Sequence, residues 1–285
     1  MNIAIVTDST CDWPCADYAA RGVFMVPLNI GFGTDVYHDQ TELSSERFCA
    51  LMEESPEPPT TSQPSPGAFA RLFESLADQG FDAALCLHIA APLSGTLQSA
   101  SIAAADAPIP VRVVDTRLAT AGLGIAVDAA CRLRDAGAYD LDEIARRIEQ
   151  ACRDTRVYLV PETLDSLVRG GRLAKEAADK MGLLNVRALL TLDERGGVVF
   201  FDKARGQKGA VARCMELLED HSRAHGPLDV RYAHVRNEEA GARIAAALAA
   251  SDADVASVSA NVCGATIATH LGLGAWCIAM APRVG

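Results

Sequence analysis

A chain of 285 residues with 37 acidic against 26 basic side chains carries a net charge of −11, which excludes the concentrated positive field of a nucleic-acid-binding surface. Hydrophobic residues make up 49% of the chain but aromatic residues only 5%, so its core must be built mainly from aliphatic side chains. The nine cysteines stand singly, which favours reduced buried thiols over a disulfide framework or a zinc site. Without a basic leader or an apolar run of membrane-spanning length, we expect a cytoplasmic protein with no integral membrane segment.

The first half of the chain alternates short apolar runs with longer amphipathic stretches. The runs at residues 3–6, 23–30, 81–89 and 111–114 predict buried strands. Ser65-Pro66 predicts a helix start, with the serine as N-cap and the proline in the first turn. Asp140-Leu141-Asp142-Glu143 has the form of a capping box for a helix that ends near Cys152. Strands separated by helices indicate a mostly parallel sheet with helices on both faces.

The second half is less regular. Its predicted elements are a strand at 156–160, a short helix that Gly170-Gly171 ends, a hairpin of 188–192 and 198–201, a strand at 230–235, a helix at 238–250 and two terminal strands. A hairpin here indicates a mixed sheet. We therefore expect an α/β protein of two α/β domains, residues 1–155 and 156–285.

Four segments place small polar residues, glycines or basic residues where a ligand could approach the backbone. They are Thr7-Asp8-Ser9-Thr10, residues 60–67, residues 92–100, and Arg169-Gly170-Gly171-Arg172 followed by Lys203, Arg205 and Lys208. The first follows a strand, where open α/β sheets bind ligands, although a capped turn is the plainer interpretation. The second and third bring several hydroxyls to predicted helix starts, which favour anions and indicate binding loops, although ordinary helix capping is the alternative for each. For the fourth, solvated surface charge is the simpler explanation.

These segments also exclude some kinds of site. The glycine spacing around Gly95 is that of neither a P-loop nor a dinucleotide fingerprint, and no nucleophile elbow is present. His270, between an apolar run and a glycine-rich turn, could donate to a carboxylate whose charge would raise its pKa, although a lone histidine is more often simply a satisfied polar residue. The six histidines form no H-x-x-x-H pattern, so we expect no metal site.

Taken together, these residues resemble the DegV family, the fatty-acid-binding proteins of bacteria. The matching segments, in order, are residues 5–10, 61–65, 93–100, 170–172 and 183–186, with weaker matches at 203–206 and His270. Each piece is weak alone, but the ordered combination is specific and spans nearly the whole chain. Three places depart from the family pattern. Ala90-Ala91 stands where serines are usual, Ala188 replaces a common proline, and Gly272-Leu273-Gly274 replaces a usual Gly-Pro-Gly.

The resemblance implies a ligand tunnel between the two domains, which holds one long-chain fatty acid such as palmitate or oleate and needs no other cofactor. Carried over to this chain, Thr61 and Ser94 would hydrogen-bond the carboxylate. The nearby residues would be Ser62, Gly95, Thr96 and His270. Arg172 and Arg205 would lie at the head-group end, facing a partner.

The resemblance also implies a carrier without catalytic residues of its own. Family members present the bound acid to a separate ATP-dependent fatty acid kinase, and the acyl phosphate enters phospholipid synthesis. A sixteen-carbon tail, at about 0.8 kcal/mol per buried methylene, offers on the order of 12 kcal/mol before ordering costs. Two alternatives stay open. One is a lipid esterase or thioesterase with Ser94 as nucleophile and His270 as base, and the other is a regulatory protein in which the lipid signals occupancy.

Overall fold

The computed structural model describes residues 1–178 and 186–284. The strands of these residues are β1 (Ile3–Asp8), β2 (Val23–Val26), β3 (Asn29–Phe32), β4 (Asp35–His38), β5 (Thr60–Ser62), β6 (Ala83–His88), β7 (Val111–Asp115), β8 (Arg156–Val160), β9 (Val186–Leu192), β10 (Val198–Arg205), β11 (Leu228–His234), β12 (Val255–Val262) and β13 (Trp276–Pro282). The helices are α1 (Cys15–Ala20), α2 (Ser45–Glu54), α3 (Pro66–Asp78), α4 (Thr96–Ala104), α5 (Thr120–Asp135), α6 (Leu141–Asp154), α7 (Asp165–Arg169), α8 (Lys175–Ala178), α9 (Gly206–His225), α10 (Glu238–Ala249) and α11 (Ala265–Leu271). Of the family-like segment at 183–186, residues 183–185 lie outside the described residues.

A four-stranded parallel sheet forms the centre of the first half, in the order β2-β1-β6-β7. Its central strands β1 and β6 are buried along their whole length. On one face they pack against α3 and α4, through side chains such as Phe69 and Ala100, and on the other against α5 and α6. This arrangement confirms the predicted parallel sheet with helices on both faces.

The single strand predicted at residues 23–30 is wrong. β2 ends at Val26 and β3 begins at Asn29 in a different sheet. Pro27 between them has no N–H to donate to a strand ladder, so the chain leaves the parallel sheet there. β3 then pairs antiparallel with both β4 and β5 in a three-stranded sheet. The second candidate segment, residues 60–67, therefore begins as strand β5.

The second half contains a six-stranded mixed sheet in the order β10-β9-β8-β13-β11-β12, in which only β11 and β12 run parallel. The predicted hairpin is confirmed as β9 and β10. Its turn is closed by Asp193, whose Oδ1 accepts the N–H groups of Arg195 and Gly197 at 2.9 and 2.8 Å. Gly196, with φ +88°, brings this turn so close to Ala90 that a Cβ would lie 2.5 Å away. The hairpin thus contacts the first half.

The two helix starts predicted from local signals are confirmed. The Ser65 hydroxyl accepts the N–H of Ala68 at 3.2 Å, and Pro66 occupies the first helical position of α3. Asp140 accepts the N–H of Glu143 at 2.8 Å at the start of α6, which ends at Asp154. Only half of the predicted capping box forms, because the Glu143 carboxylate binds Arg146 and Arg147 instead of the cap.

The two halves share an apolar core, in which α5 of the first half packs against β11 and β13 of the second. Ion pairs cross the same contact, from Asp128 to Arg231 and from Arg132 to Asp229. A domain boundary after residue 155 stays a prediction. Within residues 1–178 and 186–284, no helix has both the length and the apolar character needed to cross a membrane.

Candidate functional site

A mostly apolar cavity lies between the two halves of the chain. Most of its lining is apolar. The first half contributes Leu28, Ile89, Leu93 and Ala119, and the second half contributes Leu159, Leu167, Val198, Ile267 and Leu271. Such a lining accommodates hydrocarbon and excludes unpaired polar groups.

Three polar side chains line both this cavity and a groove of about 1220 Å³ at the protein surface. They are Thr61, Arg172 and His270, and with Ser62, Gln63 and Ser94 of the cavity lining they form what we call the polar wall. The groove outside it is formed mainly by the proline-rich segment 55–59, α7 and the residues around Thr61. The polar wall therefore lies between the apolar cavity and the surface groove.

β5 and α11 bring Thr61 and His270 together. Thr61 pairs with Ile30 in the three-stranded sheet, and its Oγ1 shares a hydrogen bond of 3.0 Å with His270 Nε2. The imidazole packs so closely on Gly170 that a Cβ there would lie 2.5 Å from Nδ1, so a glycine is required. Nδ1 is buried and has no hydrogen-bond partner among the described residues.

Burial, and secondarily the positive charge of Arg172, lower the pKa of His270 to about 4. The imidazole is therefore neutral near pH 7, with one nitrogen that donates and one that accepts. The sequence-based expectation of a raised pKa requires a carboxylate beside the ring, and among the described residues the charged neighbour that affects this pKa is Arg172.

The segment Leu93-Ser94-Gly95-Thr96 leads into α4 at the polar wall. Ser94 Oγ and Thr96 Oγ1 share a hydrogen bond of 2.9 Å, and the Thr96 N–H points at Ser94 Oγ at 3.4 Å. Gln63 lies across Gly95, so a Cβ at this position would be only 2.9 Å from Gln63 Nε2. This close contact favours glycine at position 95. Ser94 lines the cavity, whereas Thr96 is fully buried and serves to orient the Ser94 hydroxyl.

Arg172 ties the second half to this segment. Its Nε and Nη2 both donate to the Leu93 carbonyl, at 3.1 and 3.0 Å, and its Nη1 donates to the Gly170 carbonyl. Gly171, with φ +70°, allows the turn that points the arginine inward. Since these partners are neutral and the described residues give Arg172 no ion pair, its positive charge is available to an anion at the polar wall.

The remaining candidate residues separate into those at the cavity and those away from it. Ser62 lines the cavity, and its hydroxyl accepts from the Asn29 side-chain amide at 3.2 Å. Arg205 is exposed at the end of β10 and lines neither the cavity nor the groove in the described part of the chain, so its place at the head-group end stays a prediction. Gln63, which bridges two candidate segments, was contained in the family-like pattern but was not predicted as a site residue.

The first candidate segment forms a capped turn. The Asp8 carboxylate accepts the N–H of Thr10 at 3.0 Å and the N–H of Ile89 at 3.1 Å. Its Oδ2 also lies 3.0 Å from Nδ1 of His88, and Asp8 and His88 are both fully buried. This turn joins the ends of β1 and β6 and supplies no side chain to the cavity lining.

The described residues do not form the hydrogen-bond chain that a serine nucleophile requires. Ser94 Oγ bonds to Thr96, and His270 Nε2 bonds to Thr61, so the supposed nucleophile and base have different partners. His270 Nδ1 faces Gly170, and no carboxylate in the described part of the chain orients it. The arrangement suits recognition of a carboxylate better than activation of a hydroxyl.

Comparison with known proteins gives full-length similarity. The model of the DegV family, described as uncharacterised, matches residues 2–283. A DegV domain-containing protein of Streptomyces coelicolor is 35% identical over 274 residues, covering 96% of each chain. A Thermus thermophilus DegV family structure described for its fatty acid binding superposes with a TM-score of 0.92 at 34% identity, covering 99% of this chain and 100% of that one. DegV from Bacillus subtilis, described as a fatty acid binding protein, superposes with a TM-score of 0.89 at 32% identity, covering 99% and 100%.

Proposed function

Since this chain belongs to the DegV family, we propose that it binds one long-chain fatty acid, with the tail in the apolar cavity and the carboxylate at the polar wall. The observation that carries the proposal is an apolar cavity with hydroxyls, a neutral imidazole and an arginine on its wall. The fatty-acid-binding proteins of Thermus thermophilus and Bacillus subtilis, which share its fold over their whole length, support it.

The polar wall meets the needs of a carboxylate that has left water. An unpaired carboxylate in an apolar cavity is strongly unfavourable, so each oxygen needs donors. Ser94 supplies one hydroxyl, and Thr61 supplies a second when the Nε2–H of neutral His270 donates to Thr61 Oγ1, which leaves the Thr61 O–H free for the carboxylate. Arg172, held by two neutral carbonyls, adds a positive charge without being neutralised by a protein carboxylate in the described residues. Ser62 lies beside them at the cavity lining.

The cavity accounts for affinity and the polar wall for orientation. Each methylene buried against the apolar lining contributes about 0.8 kcal/mol before the cost of ordering the chain. The tail would follow a tunnel between two domains, residues 1–155 and 156–285. Palmitate and oleate are the acids that we would offer first.

The groove outside the polar wall supports a role as a carrier. Thr61, Arg172 and His270 face the cavity on one side and the groove on the other, so a carboxylate held by them would be within reach of a partner enzyme. That partner would be an ATP-dependent fatty acid kinase, which would phosphorylate the carboxylate while this chain contributes no catalytic residue. Arg205 would contact the kinase.

Native mass spectrometry of the purified protein, followed by extraction and identification of the ligand, tests the binding proposal. We expect one fatty acid per chain. A protein that carries no lipid and also rejects added palmitate and oleate would overturn it. The carrier role needs a second assay, in which a fatty acid kinase and ATP convert the bound acid to an acyl phosphate. Arg205→Ala should impair that conversion more than it impairs lipid binding, and equal losses would contradict a docking role.

A further inference from the structure

Helix α11 supplies Thr266, Ile267, His270 and Leu271 to the cavity, and the small three-stranded sheet holds it at both ends. At its C-terminal end, His270 bonds to Thr61 of β5. At its N-terminal end, the contact comes from Asp39, the residue that follows β4.

The Asp39 carboxylate is the acceptor for the free donors at the start of α11. Its Oδ1 accepts the N–H of Ala265 at 2.9 Å, and its Oδ2 accepts the N–H of Thr266 at 3.2 Å and the Thr266 hydroxyl at 2.6 Å. Asp12 adds one more contact, because its Oδ1 accepts the N–H of Gly264 at 2.8 Å. Both carboxylates belong to the first half of the chain, whereas α11 belongs to the second.

Asp39 is fully buried, and none of the described basic side chains forms an ion pair with it. Burial raises its pKa, but the N–H groups and the positive end of the α11 dipole favour the charged form. Charge-assisted hydrogen bonds are stronger than the bonds of a neutral cap. Asp39 therefore fixes α11 to the sheet that carries Thr61, with the helix spanning the space between the two contacts.

We propose that Asp39 is a positioning residue of the fatty-acid site, which sets α11 on the three-stranded sheet so that His270 meets Thr61 at the polar wall. The effect on ligand affinity rests on the proposed function. The effect on the imidazole does not, because it is a property of the protein without ligand. The competing explanation is that Asp39 only caps a helix and stabilises the fold.

Asp39→Asn tests the proposal. The side-chain amide keeps one oxygen, but its nitrogen cannot accept the hydrogen bonds that the second carboxylate oxygen accepts from the start of α11. We expect the Kd for palmitate to rise about tenfold. We also expect the His270 imidazole, followed by NMR titration in lipid-free protein, to titrate closer to its ordinary value of 6.5, because the ring leaves its buried contact with Gly170.

Asp229→Asn is the matched control. Asp229 is also a buried carboxylate that joins the two halves, through Arg132, but its other partners, Arg283 and Ser257, lie away from α11. This variant should lower the melting temperature while leaving the palmitate Kd and the His270 titration at their wild-type values.

An Asp39→Asn protein that is less stable but keeps the wild-type Kd and His270 titration would overturn the proposal. If Asp39→Asn does not fold, Thr266→Val is the second variant, because it removes the hydroxyl donor and keeps both backbone donors. It should change the palmitate Kd and the His270 titration in the same direction as Asp39→Asn, by a smaller factor. No change in either would overturn the proposal. A wild-type protein that binds neither palmitate nor oleate would refute the proposed function, while the His270 titration would still decide whether Asp39 positions the ring.

Discussion

The turn after β1 and the polar wall each contain a buried imidazole, and they differ in the charge that faces it. At the turn, His88 is fully buried with the Asp8 carboxylate 3.0 Å from Nδ1. At the polar wall, His270 has a hydroxyl on Nε2, no partner on Nδ1 within residues 1–178 and 186–284, and the positive Arg172 nearby. The first imidazole has a carboxylate from the protein itself. The second would gain one from the proposed ligand, which is the difference expected between a structural contact and a binding site.

The largest expected effect comes from breaking the structural pair. Asp8→Ala removes the acceptor of two backbone N–H groups and leaves His88 buried without its partner. Each buried donor left without an acceptor costs about 1–3 kcal/mol, so urea unfolding should show a decrease of several kcal/mol in the free energy of unfolding. The palmitate affinity of the folded protein should stay that of the wild type. A parallel loss of affinity would show that the two regions are not independent.

An intermediate effect is expected at the polar wall, on binding rather than on stability. Thr61→Ala and Ser94→Ala should each weaken palmitate binding by about 1–3 kcal/mol, because a buried carboxylate oxygen loses a donor. Ser101→Ala is the control, since that hydroxyl donates to the Leu97 carbonyl on the exposed side of α4. Calorimetric titration of lipid-free protein would measure the three affinities. Unchanged binding in both Thr61→Ala and Ser94→Ala would refute the carboxylate assignment.

The two regions also differ in how far the sequence predicts them. The alternation of strands and helices predicts the parallel sheet, although not its strand order. The starts of α3 and α6 follow from local signals, because an N-cap and its helix are adjacent in the chain. The three-stranded sheet has no such signal. It depends on Pro27 ending β2 and on β3 pairing with β5 some thirty residues later, as in the contact of Asn29 with Ser62.

The polar wall depends on contacts that are still more distant. Thr61 and His270 are 209 residues apart, and no periodicity or spacing connects them. Their assignment to one site came from the family resemblance, which preserves the order of the segments and not their geometry. Asp39 was not predicted at all, because a single aspartate after a short strand looks like surface charge until the fold buries it against Ala265 and Thr266.

The smallest expected effect concerns the pH dependence of stability that the buried imidazole of His270 causes. The pKa of His270 is about 4 in the folded protein and takes its ordinary value of 6.5 in the unfolded chain, so the unfolded chain binds more protons as the pH falls below 6.5. The free energy of unfolding should therefore decrease, by on the order of 1 kcal/mol between pH 7 and pH 5.5. His270→Asn should lack this contribution, while His221, whose pKa burial also lowers to about 4, contributes equally to both proteins. Bound palmitate should reduce the decrease in the wild type, because its carboxylate would favour the charged imidazole of His270. Identical pH profiles for the wild type and His270→Asn would contradict the buried, neutral state of His270.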